Sequence, residues 1–509
     1  MQTKPEVPLA LHDLLFNQGQ PSESTVIEDI YGQKMTYGRL RGQINCTVSS
    51  LNSMGFRRKD RIAIALPNGP EMLAASVCLA SGFTICPLNP NHREAELRRD
   101  LDIPGIKALL AERESGTAAK KVAEEQGIEV LEISPKEGVP GLFQLISCDA
   151  RGGQDPAFAR PEDDVIVAIT SGTTSKPKKI PDTHSNLYYD IAYTRKALKL
   201  SPEDICFNFF PYFHLAGLKS AIFHMATGGC VISPPEFVIK EFFKWVDKFR
   251  PTLYWASHTQ NQLILEQVKE NAEVISRSRL RFIVTGGGSL PASSIIGLES
   301  AFKVPVLEWY GMSEAGAICI NPLPPLQRKP GSVGMSMGSD VAIMGDGQMQ
   351  LTKGKIGEVV IRGPNVFRGY EDDLEANKAA FVDGWFRTGD LGYFDEDGYL
   401  YLRGRVKEMI NKGAEKIAPQ EIDEALLKHP AVAEAVAFSV PHPTLGEDVA
   451  AAVVPRSGSS VTENELRVFL FDSLAYFKVP TRIVIIEEIP KGPLGKMKRS
   501  EMARELGFI

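Results

Sequence analysis

The chain has 509 residues, of which 43% are hydrophobic and 24% charged, and a formal net charge of −6. That length exceeds a single ordinary domain of roughly 100–200 residues, and the composition excludes extensive disorder. An acidic balance with no basic run excludes a nucleic-acid footprint, and no apolar stretch approaches the roughly 18 residues of a spanning helix.

In the first third, short apolar runs alternate with helical patterns. Arg61–Leu66 reads as a buried strand, the breaker Pro67-Asn68-Gly69-Pro70 follows, and Glu71–Ala80 reads as a helix. Phe83–Leu88 is a second strand, Arg93–Asp100 a polar helix and Ala108–Ala111 a third strand. The same rhythm returns at Asp164–Ile169, Leu253–Ala256 and Arg281–Val284. Apolar strands alternating with helices predict parallel sheets covered on both faces.

From Gly331 to Leu402 glycine-punctuated short strands predict a β-rich subdomain, as at Gly357–Arg362 and Tyr399–Leu402. Beyond Gly404-Arg405 the pattern becomes α+β. Gln420–Leu427 and Glu463–Leu470 read as helices, and Val432–Val440, Val449–Pro455 and Arg482–Ile486 as strands. The fold class expected is α/β: a large N-terminal domain (residues 1–403) of βα-layered sheets with its β-rich subdomain, then a small mobile α+β domain (residues 404–509). The boundary falls at Gly404–Lys407.

Seven cysteines (Cys46, Cys78, Cys86, Cys148, Cys206, Cys230 and Cys319) form no C-x-x-C pair. They read as free thiols in a reducing compartment rather than a disulfide framework or zinc site. Met1–Ala10 lacks a secretory signal, and Gly507-Phe508-Ile509 is not a peroxisomal address, so a cytoplasmic protein is expected. No membrane partner is expected. Gly334-Met335-Ser336-Met337-Gly338 matches G-x-S-x-G, but no strand precedes it and no helix follows, so it reads as a turn.

One loop carries chemistry. Thr170-Ser171-Gly172-Thr173-Thr174-Ser175-Lys176-Pro177-Lys178 directly follows an apolar strand. Its hydroxyls, glycine and lysines supply what polyphosphate oxygens require: donors, backbone N–H groups and positive charge. Four further segments accompany it in order: Tyr310-Gly311-Met312-Ser313-Glu314, Gly384–Asp390, Gly404-Arg405-Val406-Lys407-Glu408 and Pro490–Lys496. Together they resemble the phosphate loop, tyrosine-glycine-x-threonine-glutamate motif, tryptophan-x-x-threonine-glycine-aspartate motif, hinge and C-terminal lysine segment of the adenylate-forming superfamily. That family includes acyl-CoA and aryl-CoA ligases, luciferases and peptide-synthetase adenylation domains. The resemblance runs from about residue 10 to the end. Three positions depart from the usual pattern. Ser175 and Lys179 stand where the family has glycine, and Ser313 where it has threonine.

The resemblance implies an ATP-dependent acid–thiol ligase that makes an acyl-adenylate and then a thioester. Ser171, Gly172, Thr173, Thr174 and Lys178 would bind the phosphates, Tyr310 and Ser313 the nucleotide, and Asp390 and Arg405 the ribose side. Glu314 would hold Mg²⁺, Lys496 would bridge the carboxylate and α-phosphate, and Lys407 would be the hinge. His214 joins Glu314 and Lys496 among the catalytic candidates. His214, His258, Gly286, Gly287, Gly288 and Trp309 would line the acid pocket. The sequence Pro211-Tyr212-Phe213-His214 lacks the aspartate that amino-acid-activating relatives use. Trp309 should shorten the pocket or face an aromatic ring, the glycines leave room along one wall, and His258 could bond a substrate hydroxyl or second carboxylate. The nearest resemblance is to oxalate–CoA-ligase-like and coumarate–CoA-ligase-like members, hence a small or aromatic acid. The cofactors implied are ATP, Mg²⁺ and CoA. The alternative is a loading domain that passes the acyl group to a carrier-protein phosphopantetheine.

Overall fold

Runs of β-branched and small apolar residues, too short for helices, are buried along their length and pair as strands. In the computed structural model the described residues are 7–16, 19–114, 117–146, 155–170, 178–288, 290–345, 352–413, 415–491 and 497–509. Among them the chain forms four sheets.

The first sheet has Arg61–Ala65 beside Ile106–Glu112 on one flank and Thr84–Pro87 on the other. Glu129–Pro135 and Asp164–Thr170 extend it in parallel, and antiparallel strands Phe143–Leu145 and Lys178–Thr183 close its edges. The second sheet is larger. Its centre is four parallel neighbours, Val306–Met312, Phe282–Gly286, Leu253–Ser257 and Ile205–Asn208. Cys230–Ile232, Thr25–Glu28 and Lys34–Thr36 continue it on one side, and Gly316–Ile320 and Met335–Ser336 on the other.

One apolar core draws on both sheets and on the helices Tyr37–Ser53, Pro70–Ala80, His184–Leu198 and Leu215–Thr227. Pro70–Ala80 is buried on every side from Met72 onward and carries no charge beyond Glu71, as suits a helix enclosed by core. Leu215–Thr227 is equally enclosed from Gly217 onward, yet carries Lys219 and His224.

The third sheet joins Asp340–Met344, Gly357–Arg362, Trp385–Phe394, Phe381–Val382 and Leu400–Arg405, all antiparallel. The expected β-rich span therefore divides. Met335–Ser336 hydrogen-bonds to Gly316–Ile320 in the second sheet, and the third sheet starts only at Asp340. No helix follows Ser336, so the G-x-S-x-G string is an edge strand and turn. The fourth sheet, with Ile410–Lys412, Glu415–Ile417, Val432–His442, Gly446–Pro455 and Arg482–Ile485, packs on Pro419–Leu426 and Glu463–Phe471 around its own core, including Ile422, Leu426, Val449 and Leu466. Leu400–Arg405 runs through residue 404, and the 3-10 turn Val406–Glu408 leads into this last unit.

Candidate active site

The central strands of the second sheet all end at one edge. In open α/β sheets ligands bind outside the carboxyl ends of parallel strands. Trp309 lies in Val306–Met312, Gly286 ends Phe282–Gly286, His258 follows Leu253–Ser257, and His214 lies six residues past Asn208. The sequence predicts room along the glycines; the space beside Gly287 is open, but neighbouring side chains fill that at Gly286 and Gly288. A Cβ on Gly286 would sit 2.8 Å from Trp309 Cε3, and one on Gly288 would sit 2.5 Å from His258 Nδ1. Gly287 and Gly288 remain exposed. The Trp309 indole meets Trp255 edge-on, with centroids 5.7 Å apart.

Buried atoms without a hydrogen-bond partner at this edge include His214 Nε2, His258 Nδ1 and Trp309 Nε1. A buried polar atom gains from a hydrogen-bond partner, so these atoms can serve a ligand group. Burial, helped by His92, lowers His214 to a pKa of about 4. Burial, helped by the Lys491 ammonium, does the same for His258. Both imidazoles are therefore neutral near pH 7.

A second group of residues forms beside the third sheet. Tyr310 is buried and donates its hydroxyl to Asp390 Oδ2 at 2.6 Å. Asp390 faces Arg405 across the pair Trp385–Phe394 and Leu400–Arg405, with Arg405 Nε 3.0 Å from Asp390 Oδ1. Tyr310 and Arg405, 95 positions apart, thus share the Asp390 carboxylate. Glu314 lies in the turn after Val306–Met312, with Ser313 beside it. Burial raises its pKa, opposed by the Tyr370 hydroxyl and the charges of Lys178 and Arg405. Tyr370 donates to Glu314 Oε1 at 2.9 Å, while the Lys178 ammonium sits 3.9 Å from the Tyr370 ring centroid. Tyr370 was not singled out from the sequence, because a lone tyrosine after Arg368-Gly369 has no spacing signature.

Thr170 pairs with Lys178 across a hairpin, and Ser171, Gly172, Thr173 and Thr174 between them lie outside the described residues. So does Lys496, whose segment is flanked by a bridge between Lys491 and Met497. Lys407 sits in the turn Val406–Glu408. On one side of it Arg405 pairs with Asp390, and on the other Glu408 pairs with Arg499 at 3.3 Å.

Another group was missed although its signal was visible: Lys219, a cation within an apolar helix. Buried charges need partners. Its ammonium lies 2.8 Å from Asp182 and 2.7 Å from Asp190, both buried. Asp190 Oδ1 also accepts from the Ala317 backbone N–H at 3.2 Å. Gly316 has φ +59°, and a Cβ there would overlap the Asp190 carboxylate.

The family model for AMP-binding enzymes matches residues 16–371, and that for their C-terminal domain matches residues 421–496. The chain belongs to the AMP-binding enzyme family. This AMP-binding enzyme is 37% identical over 481 residues to an oxalate–CoA ligase of Arabidopsis thaliana, covering 92% of this chain and 93% of that one. It is 31% identical to a sulfoacetate–CoA ligase of Cupriavidus necator, covering 98% and 99%. Among solved structures, ATP-bound MatB from Rhodopseudomonas palustris superposes with a TM-score of 0.88 at 26% identity, covering 98% of both chains. No helix among the described residues is long and apolar enough to cross a membrane.

Proposed function

We propose that this AMP-binding enzyme activates a small carboxylic acid bearing a second anionic group, and passes the acyl group to CoA. The observation that supports the substrate class is the trio of unpartnered buried atoms on His214, His258 and Trp309. A purely apolar acid would leave them unpaired, whereas a second carboxylate or a sulfonate accepts from each. Oxalate and sulfoacetate, named for two relatives, are acids of this kind.

In the first step a substrate carboxylate oxygen attacks the α-phosphorus of ATP, and pyrophosphate leaves. In the second a thiol sulfur attacks the acyl carbon, and AMP leaves. Reactions of this type depend mainly on positioning and charge neutralisation. Ser171, Gly172, Thr173, Thr174 and Lys178 hold the polyphosphate. Tyr310 presents its ring to adenine with its hydroxyl tied to Asp390, Ser313 lies against the nucleotide, and Asp390 keeps lone pairs for the ribose hydroxyls. Lys496 neutralises charge between the acid and the α-phosphate. Lys407 is the pivot about which residues 404–509 turn relative to residues 1–403 between the two steps.

Glu314 suits a hard cation. It is a half-buried carboxylate that accepts from the neutral Tyr370 hydroxyl. Mg²⁺ is commonly held by one or two carboxylates together with substrate phosphates, and a single carboxylate is what Glu314 offers. Bound there, Mg²⁺ would neutralise the polyphosphate. The six described cysteines are free, which suits a reducing, cytoplasmic setting. CoA is preferred to a carrier-protein thiol because both relatives named above are CoA ligases.

The test is acid-dependent ATP–pyrophosphate exchange without CoA, comparing oxalate, malonate and sulfoacetate with benzoate, coumarate and octanoate. Exchange with the two-anion acids is expected. Exchange confined to the other three would reject the assignment.

A further inference from the structure

Tyr370 touches both charged groups that the adenylation reading assigns to the phosphates and cation. It is buried, at 7% exposure, and its surroundings hold it still. Its backbone N–H donates to Asn377 Oδ1 at 2.7 Å, and its carbonyl accepts from Asn377 Nδ2 at 2.8 Å. Phe367 packs edge-on against its ring, with centroids 4.9 Å apart.

The flanking backbone makes the same two connections. Phe367 N–H donates to the Glu314 carbonyl at 2.8 Å, and Glu371 N–H donates to the Lys179 carbonyl at 3.2 Å. Residues 367–371 therefore fasten the Glu314 turn to the strand that begins at Lys178. Arg61 closes the arrangement through a forked ion pair with Glu371.

We propose that Tyr370 is a positioning residue for adenylation: its hydroxyl orients the Glu314 carboxylate, and its ring holds the Lys178 ammonium until polyphosphate arrives. This rests on the roles given above to Glu314 and Lys178. A cation over a ring face is held without being neutralised, so phosphate oxygens, which offer charge-assisted hydrogen bonds, can draw it away.

The experiment separates hydroxyl from ring. Tyr370→Phe keeps the ring under Lys178. It is expected to raise the Mg²⁺ concentration for half-maximal pyrophosphate exchange at least fivefold, leaving the affinity for metal-free ATP within twofold by calorimetry. Tyr370→Leu, which removes both contacts, is expected to weaken metal-free ATP binding as well. Asn377→Ser, which loosens the backbone clamp without touching either partner, should shift Mg²⁺ dependence in the same direction by less. Parental Mg²⁺ dependence in both Tyr370→Phe and Asn377→Ser overturns the proposal. Glu314→Gln and Lys178→Ala are measured alongside. If they lose exchange while Tyr370→Phe does not, only the positioning role falls. If they retain parental exchange, the assignment of Glu314 and Lys178 falls, and the role of Tyr370 with it.

Discussion

Arg405 reaches across a strand pair to Asp390, and the far oxygen of that carboxylate takes the hydroxyl of Tyr310. Asp390 is buried, so the arrangement holds a charge that would be costly if unpaired. Asp390→Asn keeps the shape and removes the charge. Hydrogen bonds to charged groups contribute about 1.5–3 kcal/mol, so the KM for ATP should rise about tenfold or more. Unchanged steady-state kinetics would remove Asp390 from the nucleotide site.

Trp309→Phe tests whether the indole contributes a donor or only volume. The phenyl ring retains most of the packing but has no N–H. Activity with a two-anion acid should fall about tenfold, while a monocarboxylic acid of similar size should lose little. Equal losses for both acids would mean that the pocket reads shape alone.

His258 predicts a pH effect. Its pKa is about 4 in the free enzyme, lowered by burial. A substrate carboxylate at Nδ1 favours the charged imidazolium and raises that pKa in the complex. A group whose pKa rises on binding strengthens binding as pH falls. The KM for a two-anion acid should therefore drop between pH 8 and pH 5 relative to that for a monoacid, and His258→Gln should abolish the difference. Parallel pH profiles for the two acids would reject the contact.

Lys219 holds two buried carboxylates, and Lys219→Met should destabilise the fold by about 3–5 kcal/mol, the usual cost of breaking a buried pair. Burial lifts Asp190 to a pKa of about 6 and raises Asp182 too, against the pull of Lys219. A carboxylate whose folded pKa exceeds its unfolded value loses stability as pH rises between the two values. Without the lysine that interval extends upward, so the mutant deficit in thermal unfolding should be larger at pH 8 than at pH 5. An equal deficit at both would mean that the carboxylates do not titrate in the fold.

Lys407→Pro addresses the pivot. Proline fixes φ near roughly −65° and removes a donor. Pyrophosphate exchange should survive, while thioester formation is lost. Equal responses in the two assays would make the turn a passive connection.

Much of the architecture could be read from local pattern. Arg61–Leu66, Asp164–Ile169 and Gly357–Arg362 are short apolar runs bounded by breakers, and each is a strand close to its expected limits. The edge pair Thr25–Glu28 and Lys34–Thr36 gave no such signal, because its parallel partner Cys230–Ile232 lies some two hundred positions away. Tyr310, Asp390 and Arg405, assigned to the nucleotide in the proposal above, were legible as motifs, and the fold brings Tyr310 and Arg405 to the Asp390 carboxylate. Tyr370 was not, since its role depends on where Glu314 and Lys178 arrive. The glycines at 286 and 288 were read as open space because sequence shows that a side chain is missing, not which neighbour fills the gap. Lys219 was an anomaly visible in an apolar helix, but its partners on two other elements were not.

The pairs Arg405–Asp390 and Glu408–Arg499 leave only Val406 and Lys407 between anchored residues. A connection that short is a stiff arm rather than a tether, and on the roles proposed above it would fix the arc through which Lys496 returns. The amine would then meet the reacting phosphate at an effective molarity far above any concentration of free amine, since well-oriented intramolecular groups reach about 10⁵–10⁸ M. Free alkylamines at millimolar concentration should accordingly fail to rescue a Lys496→Ala enzyme, because what that enzyme lacks is a lysine delivered in one orientation.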